Sequence, residues 1–429
     1  MPCAAEPSDS SSLPVSLQTP STSGATPGLD WLYETQMFGV KLGLQNVRRL
    51  LSDALAMPTH GTKVLHVAGT NGKGSICAMA DSVARACGTR TGLFTSPHLV
   101  TFSERIRVDG IPIPMPRLEE EISYLRTLVS GYDPHPTFFE LSLALALRYF
   151  KDCRCELIIL ETGMGGRLDA TNAVPSDVSV LAPIGMDHCE WLGDTLEKIA
   201  AEKAGIFKPG VPVFSARQEP AARRVIEIHA SDTRCPLVFV EEPLVGYPVA
   251  LPGRHQRHNA ALAVEALFAL GLPIRIDSLH HGLSSVHWPG RFDRRPEQRL
   301  VLDGAHNPAG ACVLLETWRD WMPNQQACLV FSTLQDKDPT QILRILRPIC
   351  ERVVLCPVAS PRALGVAQLA ECAQEAGFAP EHILQCSNLS DALGLAQSFR
   401  ETTLVAGSLY LIGEAIAFLD GLKHQPSAQ

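Results

Sequence analysis

Long apolar runs are missing from this sequence, and no stretch of it is long enough to span a bilayer as a helix. The N-terminus also lacks the basic start and the apolar core of a signal peptide. The 13 cysteines include no C-x-x-C pair, so a zinc ribbon or a thioredoxin-like motif has no support. An odd number of scattered cysteines instead favours a reducing cytoplasm over a disulfide framework.

Positive charge is also scarce, because 45 acidic residues outweigh 37 Lys and Arg and give a formal net charge of -8. This balance argues against a general nucleic-acid binder, whose affinity comes largely from clustered Lys and Arg. A hydrophobic content of 45% and a length of 429 residues indicate a well-packed protein of two or three domains. Residues 1–29 differ, since they are rich in Ser, Pro, Thr and Ala and are predicted to form a disordered tail.

Beyond that tail, short apolar strands alternate with helical segments. The predicted strands cover residues 63–68, 91–95, 157–160 and 178–181. The predicted helices cover residues 31–55, 75–87, 137–150 and 194–203. Such alternation predicts a parallel sheet covered on both faces, with ligands at the carboxyl ends of its strands.

A second βα series follows a polar, proline-containing stretch at residues 294–298. Its predicted strands cover residues 300–302, 327–331, 353–356 and 403–406. The sequence therefore predicts an α/β protein with a larger parallel-sheet domain over residues 30–294. A smaller Rossmann-like α/β domain is predicted over residues 297–424.

The first predicted strand is followed by a glycine-rich loop, Gly69-Thr-Asn-Gly-Lys-Gly-Ser75. Backbone N–H groups in such a loop can point together at a phosphate, and the next helix adds partial positive charge. Lys73 would supply a full charge. The strict Walker A spacing is not met, because Val67 replaces its first glycine and Gly74 separates Lys73 from Ser75. The alternative is a glycine turn with a surface lysine, but the strand–loop–helix setting favours a P-loop-containing ATPase domain.

Four further side chains each allow a functional and an ordinary interpretation. Glu140 lies in an apolar helix, where it would bind a metal or a partner if buried, or else face solvent. His188 follows a strand and would be a ligand, a base or a structural residue. Ser96 would coordinate Mg²⁺ or belong to a Ser-Pro turn. Lys203 would ordinarily be a cation favoured by the dipole at a helix end.

Motifs in order along the chain resemble the Mur ligase superfamily and, within it, the folylpolyglutamate synthase and dihydrofolate synthase family. The matching blocks are residues 66–75, 94–99, 104–110, 139–140, 161–172, 185–188, 192–195, 202–206, 288–292, 302–308 and 408–413. Together they span nearly the whole chain after residue 30. The variant Gly72-Lys-Gly-Ser75 is normal for this family, so the departure from Walker A supports the resemblance.

The resemblance implies an ATP-binding site built from both domains. The ATP phosphates would be bound by Asn71, Gly72, Lys73, Gly74 and Ser75. Further contacts to the nucleotide would come from Asn259, Arg291 and, across the cleft, Asp303. The loop Asp336-Lys-Asp338 resembles one that lies near the incoming amino acid.

The resemblance also implies magnesium. Ser96, Glu140 and His188 would hold Mg²⁺, and Lys203 would be carbamylated by CO₂ to become an oxygen ligand for a second ion. The catalytic residues would be Lys73, His188, Lys203 and Arg291.

The implied enzyme is an ATP-dependent ligase of folate biosynthesis and one-carbon metabolism. The substrate carboxylate would attack the γ-phosphate to give an acyl phosphate and ADP, and the amine of glutamate would then displace phosphate. The substrates would be glutamate with dihydropteroate, with folates, or with both. We expect a cytoplasmic monomer without nucleic-acid or membrane partners.

Three other functions compete with this one. A peptidoglycan-precursor ligase of the same superfamily would need an additional N-terminal domain, for which about 30 residues are too few. A small-molecule kinase or simple NTPase would use the phosphate loop but would need no amine acceptor. A nucleotide-binding regulator would be expected to lack the metal ligands, yet Ser96, Glu140, His188 and Lys203 are all present.

Overall fold

The strands of the computed structural model, which describes residues 27–39 and 43–426, form two separate sheets. The first sheet contains β1 (Lys63–Ala68), β2 (Thr91–Phe94), β3 (Ile106–Val108), β4 (Ile111–Pro112), β5 (Leu157–Glu161), β6 (Val178–Leu181), β7 (Val213–Ala216) and β8 (Leu237–Val240). Its order is β4-β3-β2-β5-β1-β6-β7-β8, and all neighbours are parallel except β3 and β4, which form an antiparallel edge.

The second sheet is smaller and contains β9 (Asp293–Arg295), β10 (Leu300–Leu302), β11 (Ala327–Phe331), β12 (Cys350–Leu355), β13 (Ile383–Gln385) and β14 (Thr402–Ala406). Its order is β13-β12-β11-β14-β10-β9, and only the edge strand β9 is antiparallel to its neighbour. The predicted fold class is therefore confirmed: a P-loop-containing parallel sheet is followed by a smaller Rossmann-like α/β unit.

Helices follow most of the strands and cover the sheets. Those of the first unit are α1 (Pro27–Glu34), α2 (Gln45–Asp53), α3 (Lys73–Ala86), α4 (Met115–Leu128), α5 (Phe138–Asp152), α6 (Cys189–Leu192), α7 (Leu196–Ala204), α8 (Pro220–Thr233), α9 (Arg254–Ala269) and α10 (Ile276–Ser285). Those of the second unit are α11 (Pro308–Trp321), α12 (Pro339–Leu346), α13 (Val366–Glu375), α14 (Leu389–Ser398) and α15 (Leu409–Leu419).

The centre of the first sheet is buried on both faces, as its apolar strands predict. Successive side chains of a strand point to opposite faces, so Ile158 and Leu160 pack on one side while Leu157 and Ile159 pack on the other. The first side is covered by α1, α2, α4 and α5, and the second by α3, α9 and α10. This packing fixes α3, and with it the phosphate loop, against the centre of the sheet.

The predicted helix over residues 31–55 is wrong, because the chain is broken there. A 3₁₀ turn, Thr35–Phe38, follows α1, and Gly39 then takes a φ of 62°, which a right-handed helix does not allow. The predicted tail over residues 1–29 also extends too far, since α1 begins at Pro27 and buries Leu29 and Leu32 in the core. Residues 1–26 of that predicted tail lie outside the described residues.

The predicted division between residues 294 and 297 falls inside the second sheet. Asp293–Arg295 forms β9, and Arg295, Arg294 and Asp293 pair in turn with the three residues of β10. The polar composition that suggested a domain boundary is also typical of an edge strand, which has one side open to water. Strands β3, β4, β7, β8 and β13 were not predicted either, and of these β4, β8 and β13 lie at sheet edges.

Two expectations about composition can be compared with the described part of the chain. None of its helices combines the length and the apolar character that crossing a membrane requires. The twelve cysteines within it are all unpaired.

Candidate active site

A cavity of about 1210 Å³ lies at the carboxyl ends of strands from both sheets. Its walls include residues that directly follow β1, β2, β6, β10, β11 and β14. Every residue predicted for the site lines it: Asn71, Gly72, Lys73, Gly74, Ser75, Ser96, Glu140, His188, Lys203, Asn259, Arg291 and Asp303. The cavity exceeds the usual range for one small ligand, so it has room for a nucleotide and a second substrate.

The phosphate loop depends on glycine at two positions. Gly69 has a φ of 147° and Gly72 a φ of 89°, both in the region that favours glycine. A Cβ at Gly72 would lie 2.9 Å from Oδ1 of Asn259, and one at Gly69 would lie 2.5 Å from Cβ of Ala182. The loop therefore packs tightly between α9 and the segment after β6, and its backbone lies at the surface of the cavity.

Lys73 begins α3, and its side chain folds back over the loop. Its Nζ donates to the carbonyls of Gly69 at 3.1 Å and Thr70 at 3.3 Å. Thr70 N in turn donates to Pro183 O at 2.9 Å, which ties the loop to the segment after β6. The ammonium thus stands at a helix N-terminus, where an anion is favoured.

Helix α9 supports the phosphate loop through a chain of side-chain amides. Asn259 Nδ2 donates to Gln256 Oε1 at 3.0 Å, and Gln256 Nε2 donates to Ser75 Oγ at 3.3 Å. Both amides are buried. Asn259 therefore has a structural role beside Gly72, and its contact with the nucleotide stays a prediction.

Ser96 and Glu161 meet beside the phosphate loop. The Ser96 backbone N–H donates to Glu161 Oε2 at 3.1 Å. The Ser96 hydroxyl is buried and has no hydrogen-bond partner among the residues that the structure describes. Burial raises the pKa of the Glu161 carboxyl above its usual range, although the charge of Lys73 opposes that shift.

Glu161 is a candidate that sequence reasoning did not single out. It ends β5, opposite Val67 of the strand that leads into the phosphate loop. The available signal was an acidic residue at the carboxyl end of a buried apolar strand, where ligands of such sheets bind.

Glu140 is 5% exposed, so the interpretation that it faces solvent is wrong. It belongs to a capping box at the start of α5. Its Oε2 accepts from Thr137 N at 2.7 Å, and Thr137 Oγ1 accepts from Glu140 N at 3.3 Å. The carboxylate therefore stabilises a helix start, and its role as a metal ligand stays a prediction.

The oxygen donors of Ser96, Glu161 and Glu140 would suit Mg²⁺ only if the phosphates of the nucleotide supplied further ligands. Among residues 27–39 and 43–426, no three His, Cys, Asp or Glu side chains converge as a ready-made metal site. The unpaired hydroxyl of Ser96 and the Glu161 carboxylate are nevertheless adjacent oxygen donors, as Mg²⁺ prefers. Mg²⁺ commonly binds few protein groups and completes its shell with water and substrate phosphates.

His188 caps α6 with a φ of 52°. Burial lowers its pKa to about 4, so the imidazole is neutral at physiological pH. A neutral imidazole is a ligand or a hydrogen-bonding group rather than a proton donor.

The neighbouring Asp187 bridges the two units. It accepts from Lys337 Nζ at 2.5 Å and from Asn307 Nδ2 at 3.2 Å, and both donors belong to the second unit. Asn307 also exchanges two amide hydrogen bonds with Asn71 of the phosphate loop, at 3.1 and 3.2 Å. Although burial alone would raise the pKa of Asp187, His306 and Lys337 hold it well below its usual range.

Sequence reasoning had noted the loop that contains Lys337 but had not foreseen this bridge. The Lys337 side chain is only 7% exposed and also pairs with Asp336 at 3.2 Å. The bridge closes the phosphate-loop side of the cavity against the second unit.

Lys203 lies in the last turn of α7, as the ordinary interpretation expects, but it is only 3% exposed. Its Nζ donates to Gly69 O at 2.9 Å, directly under the phosphate loop. Burial lowers its pKa to about 7, and the nearby charge of Lys73 adds to this shift. Much of this amine is therefore neutral near neutral pH.

Arg291 and Asp303 lie side by side at the second unit. Asp303 accepts from Phe292 N at 2.8 Å and from Ala305 N at 2.9 Å, so each carboxylate oxygen holds a backbone amide. The Arg291 guanidinium has no hydrogen bond or ion pair with any residue that the structure describes. It lines the cavity as a cation available to a ligand.

Comparison with known proteins identifies the family of both units. The Mur ligase middle domain matches residues 67–212, and the Mur ligase glutamate ligase domain matches residues 290–409. The dihydrofolate synthase/folylpolyglutamate synthase of Bacillus subtilis is 34% identical over 421 residues, which cover 90% of this chain and 96% of the relative.

Solved structures show the same similarity. An Escherichia coli structure in complex with DHPP and ADP superposes with a TM-score of 0.83 at 30% identity, covering 92% of this chain and 98% of that one. A bifunctional folylpolyglutamate synthase/dihydrofolate synthase with Mn, AMPPNP and L-glutamate bound has a TM-score of 0.81 at 31% identity, covering 94% of this chain and 100% of that one.

Proposed function

The chain belongs to the folylpolyglutamate synthase/dihydrofolate synthase family of Mur ligases, and from that premise we propose how its cavity performs the reaction. It is an ATP-dependent ligase that joins glutamate to a folate-type carboxylic acid. One observation carries the assignment of roles: all the predicted site residues line a single cavity between the phosphate loop and the second unit.

The first step transfers the γ-phosphoryl group of ATP to the substrate carboxylate, which forms an acyl phosphate and ADP. Such transfers need mainly positioning and charge neutralisation. The backbone of residues 71–75 and the ammonium of Lys73 would bind the phosphates. Arg291, which lies beside Asp303 but makes no hydrogen bond or ion pair in the described structure, would bind them from the opposite wall.

A bound Mg²⁺ would neutralise further charge on the transferring group. Ser96 would hold it through its unpaired hydroxyl, and we propose Glu161 as the adjacent carboxylate ligand. Glu140 and His188 complete the candidate set. Lys203, buried under the phosphate loop with a partly neutral amine, would react with CO₂ and supply carbamate oxygens to a second ion.

In the second step the amine of glutamate attacks the acyl phosphate and phosphate leaves. Water would compete for that intermediate, so the cavity must be closed. The bridge from Asp187 to Lys337 and Asn307 would hold the two units together during this step. Lys337 belongs to the loop Asp336-Lys-Asp338, which lines the cavity and which we propose lies near the incoming glutamate.

We further propose that the enzyme accepts both dihydropteroate and folates, that it works as a monomer, and that it is cytoplasmic. Its catalytic set is complete within one chain, which supports the monomer. Twelve unpaired cysteines in the described part of the chain favour a reducing compartment.

The acceptor is tested by measuring ADP release with Mg-ATP and glutamate, in the presence of dihydropteroate, of tetrahydrofolate, or of neither. We expect release to need glutamate and to occur with either pterin. Release with one pterin alone would restrict the enzyme to a single activity. Release indifferent to glutamate and to pterin would instead indicate a kinase or an NTPase and would contradict the assignment.

Glu161→Gln and Glu140→Gln should show which of the two candidate carboxylates is the Mg²⁺ ligand. We expect Glu161→Gln to lower kcat/KM for Mg-ATP by about 100-fold, because it removes the charge beside Ser96. Glu140→Gln should change it only severalfold, since a glutamine oxygen can still accept from Thr137 N. Steady-state kinetics at varied Mg²⁺ decide the assignment, and the opposite ranking would establish Glu140 as the ligand.

A further inference from the structure

The segment over residues 95–102, here called the Ser96 loop, follows β2 of the first sheet but packs into the second unit. Val100 is 5% exposed and lies in an apolar cluster otherwise formed by second-unit residues. A Cβ at Gly413 of α15 would lie 2.0 Å from the carbonyl oxygen of Leu99, so the two backbones are in close contact. The Ser96 loop is therefore anchored in the core of the unit that it faces.

The segment after α15 fastens this loop with a row of hydrogen bonds. Gln425 N donates to Val100 O at 2.8 Å, and Gln425 Oε1 accepts from Phe102 N at 2.8 Å. The carbonyl of Gln425 bonds His98 Nε2 at 2.9 Å. His424 Nε2 and Leu99 O make a further contact at 3.2 Å. We call His424 and Gln425 the C-terminal clasp.

The protonation of His98 follows from its neighbours. Arg105 Nε, which can only donate, lies 2.8 Å from His98 Nδ1, so that nitrogen accepts. The proton of the neutral imidazole is then on Nε2, and it points at the carbonyl of Gln425. His98 is 3% exposed and Arg105 is fully buried, so water does not compete for these bonds.

The backbone of residues 99–101 is also held by hydrogen bonds. The Glu104 carboxylate accepts hydrogen bonds from the backbone N–H groups of Leu99, Val100 and Thr101, at 2.7–2.9 Å. The carbonyl oxygens of Leu99 and Val100 accept hydrogen bonds from the two residues of the C-terminal clasp. At its other end, the loop is held to the phosphate-loop side by the bond from Ser96 N to Glu161. The loop is therefore held at one end by the second unit and at the other by Glu161 of the first.

We propose that Gln425 is a positioning residue: through the clasp, it couples the placement of the second unit to that of Ser96 and so sets the affinity of the site for Mg²⁺. Gln425 would contact neither substrate nor metal. The inference rests on the proposed role of Ser96 as a metal ligand.

The test compares Gln425→Met, which removes the side-chain acceptor at similar volume, with Gln425→Glu, which keeps it. In metal-free protein we expect the Phe102 amide of Gln425→Met to exchange about fivefold faster, the effect of losing one hydrogen bond. The Mg²⁺ concentration for half-maximal turnover should rise by about the same factor. The kcat at saturating Mg²⁺ should stay within about twofold, and Gln425→Glu should restore both values.

Gln326→Met is the matched control, because Gln326 makes one exposed hydrogen bond within the second unit, to Pro348 O. It should leave the Phe102 amide and the Mg²⁺ requirement unchanged. A chain that ends at Lys423 loses the whole clasp and should show the larger effects, and if that chain does not fold, Gln425→Met decides alone.

An unchanged Mg²⁺ requirement in Gln425→Met would overturn the proposal, whether or not the Phe102 amide exchanges faster. The result is distinct from a failure of the proposed function, which would appear in the unmodified protein as ADP release independent of glutamate and pterin.

Discussion

Lys73→Ala is expected to lower the rate of glutamate-dependent ADP release by about 1000-fold or more, because it removes a preorganised cation from the site of phosphoryl transfer. The ammonium lies at the N-terminus of α3, within the phosphate loop. Its two hydrogen bonds to the carbonyls of Gly69 and Thr70 are the structural contacts that the protein would lose. We expect a loss of about 1–2 kcal/mol in the free energy of unfolding, too little to unfold a protein of ordinary stability.

Lys151→Ala is the control for that variant. Lys151 is also a lysine that donates to a backbone carbonyl, Leu55 O at 2.8 Å, but it is exposed and does not line the cavity. Its replacement should leave turnover within about twofold, as surface substitutions usually do. Near-normal turnover of Lys73→Ala, with both variants folded by circular dichroism, would contradict the assignment of the phosphate loop.

Lys203→Ala is expected to lower turnover by about 100-fold, since it would remove an oxygen ligand of the metal site. The substitution also leaves a space under Gly69 that a small ion can enter. If the working group is the carbamate, acetate should restore part of the activity, because it returns a carboxylate to the same place. If the working group is the ammonium, methylammonium should restore activity and acetate should not.

Lys208→Ala separates this effect from a general loss of packing. Lys208 lies five residues further along the chain, is half-buried, and donates to Asn172 O at 3.1 Å without lining the cavity. Its replacement should lower stability, and acetate should have no effect on its turnover. Rescue of Lys203→Ala by methylammonium alone would exclude the carbamate.

The local sequence was sufficient to predict a secondary-structure element where the residues of one short segment determine its conformation. The strands Lys63–Ala68 and Val178–Leu181 have the predicted bounds, because mainly apolar runs of this length are typical of strands buried on both faces of a parallel sheet. The sequence predicts a domain boundary where the edge strand Asp293–Arg295 lies, because an edge strand tolerates polar residues and has the composition of a loop.

The residues of the candidate site were likewise predictable from the sequence only in part. Ser96 and His188, which come after strands of the first sheet, were expected near one another because parallel strands bring their carboxyl ends to one side. Asp303 belongs to the second sheet, and only the family resemblance implied its place at the site. The two carboxylates could not be ranked from the sequence. Glu140 lies in a conspicuous apolar helix but caps it, whereas Glu161 ends a strand and accepts the backbone N–H of Ser96.

By itself, the sequence determined the two α/β units, the glycine loop with Lys73 and the family, because apolar periodicity, glycine positions and ordered motifs are properties of neighbouring residues. Only the tertiary structure decided the burial of Lys203 beneath Gly69, the bridge from Asp187 to Lys337 and the clasp of Gln425 on the Ser96 loop. Each of these contacts joins residues more than 100 positions apart, and its strength comes from burial that both partners acquire only when the chain has folded.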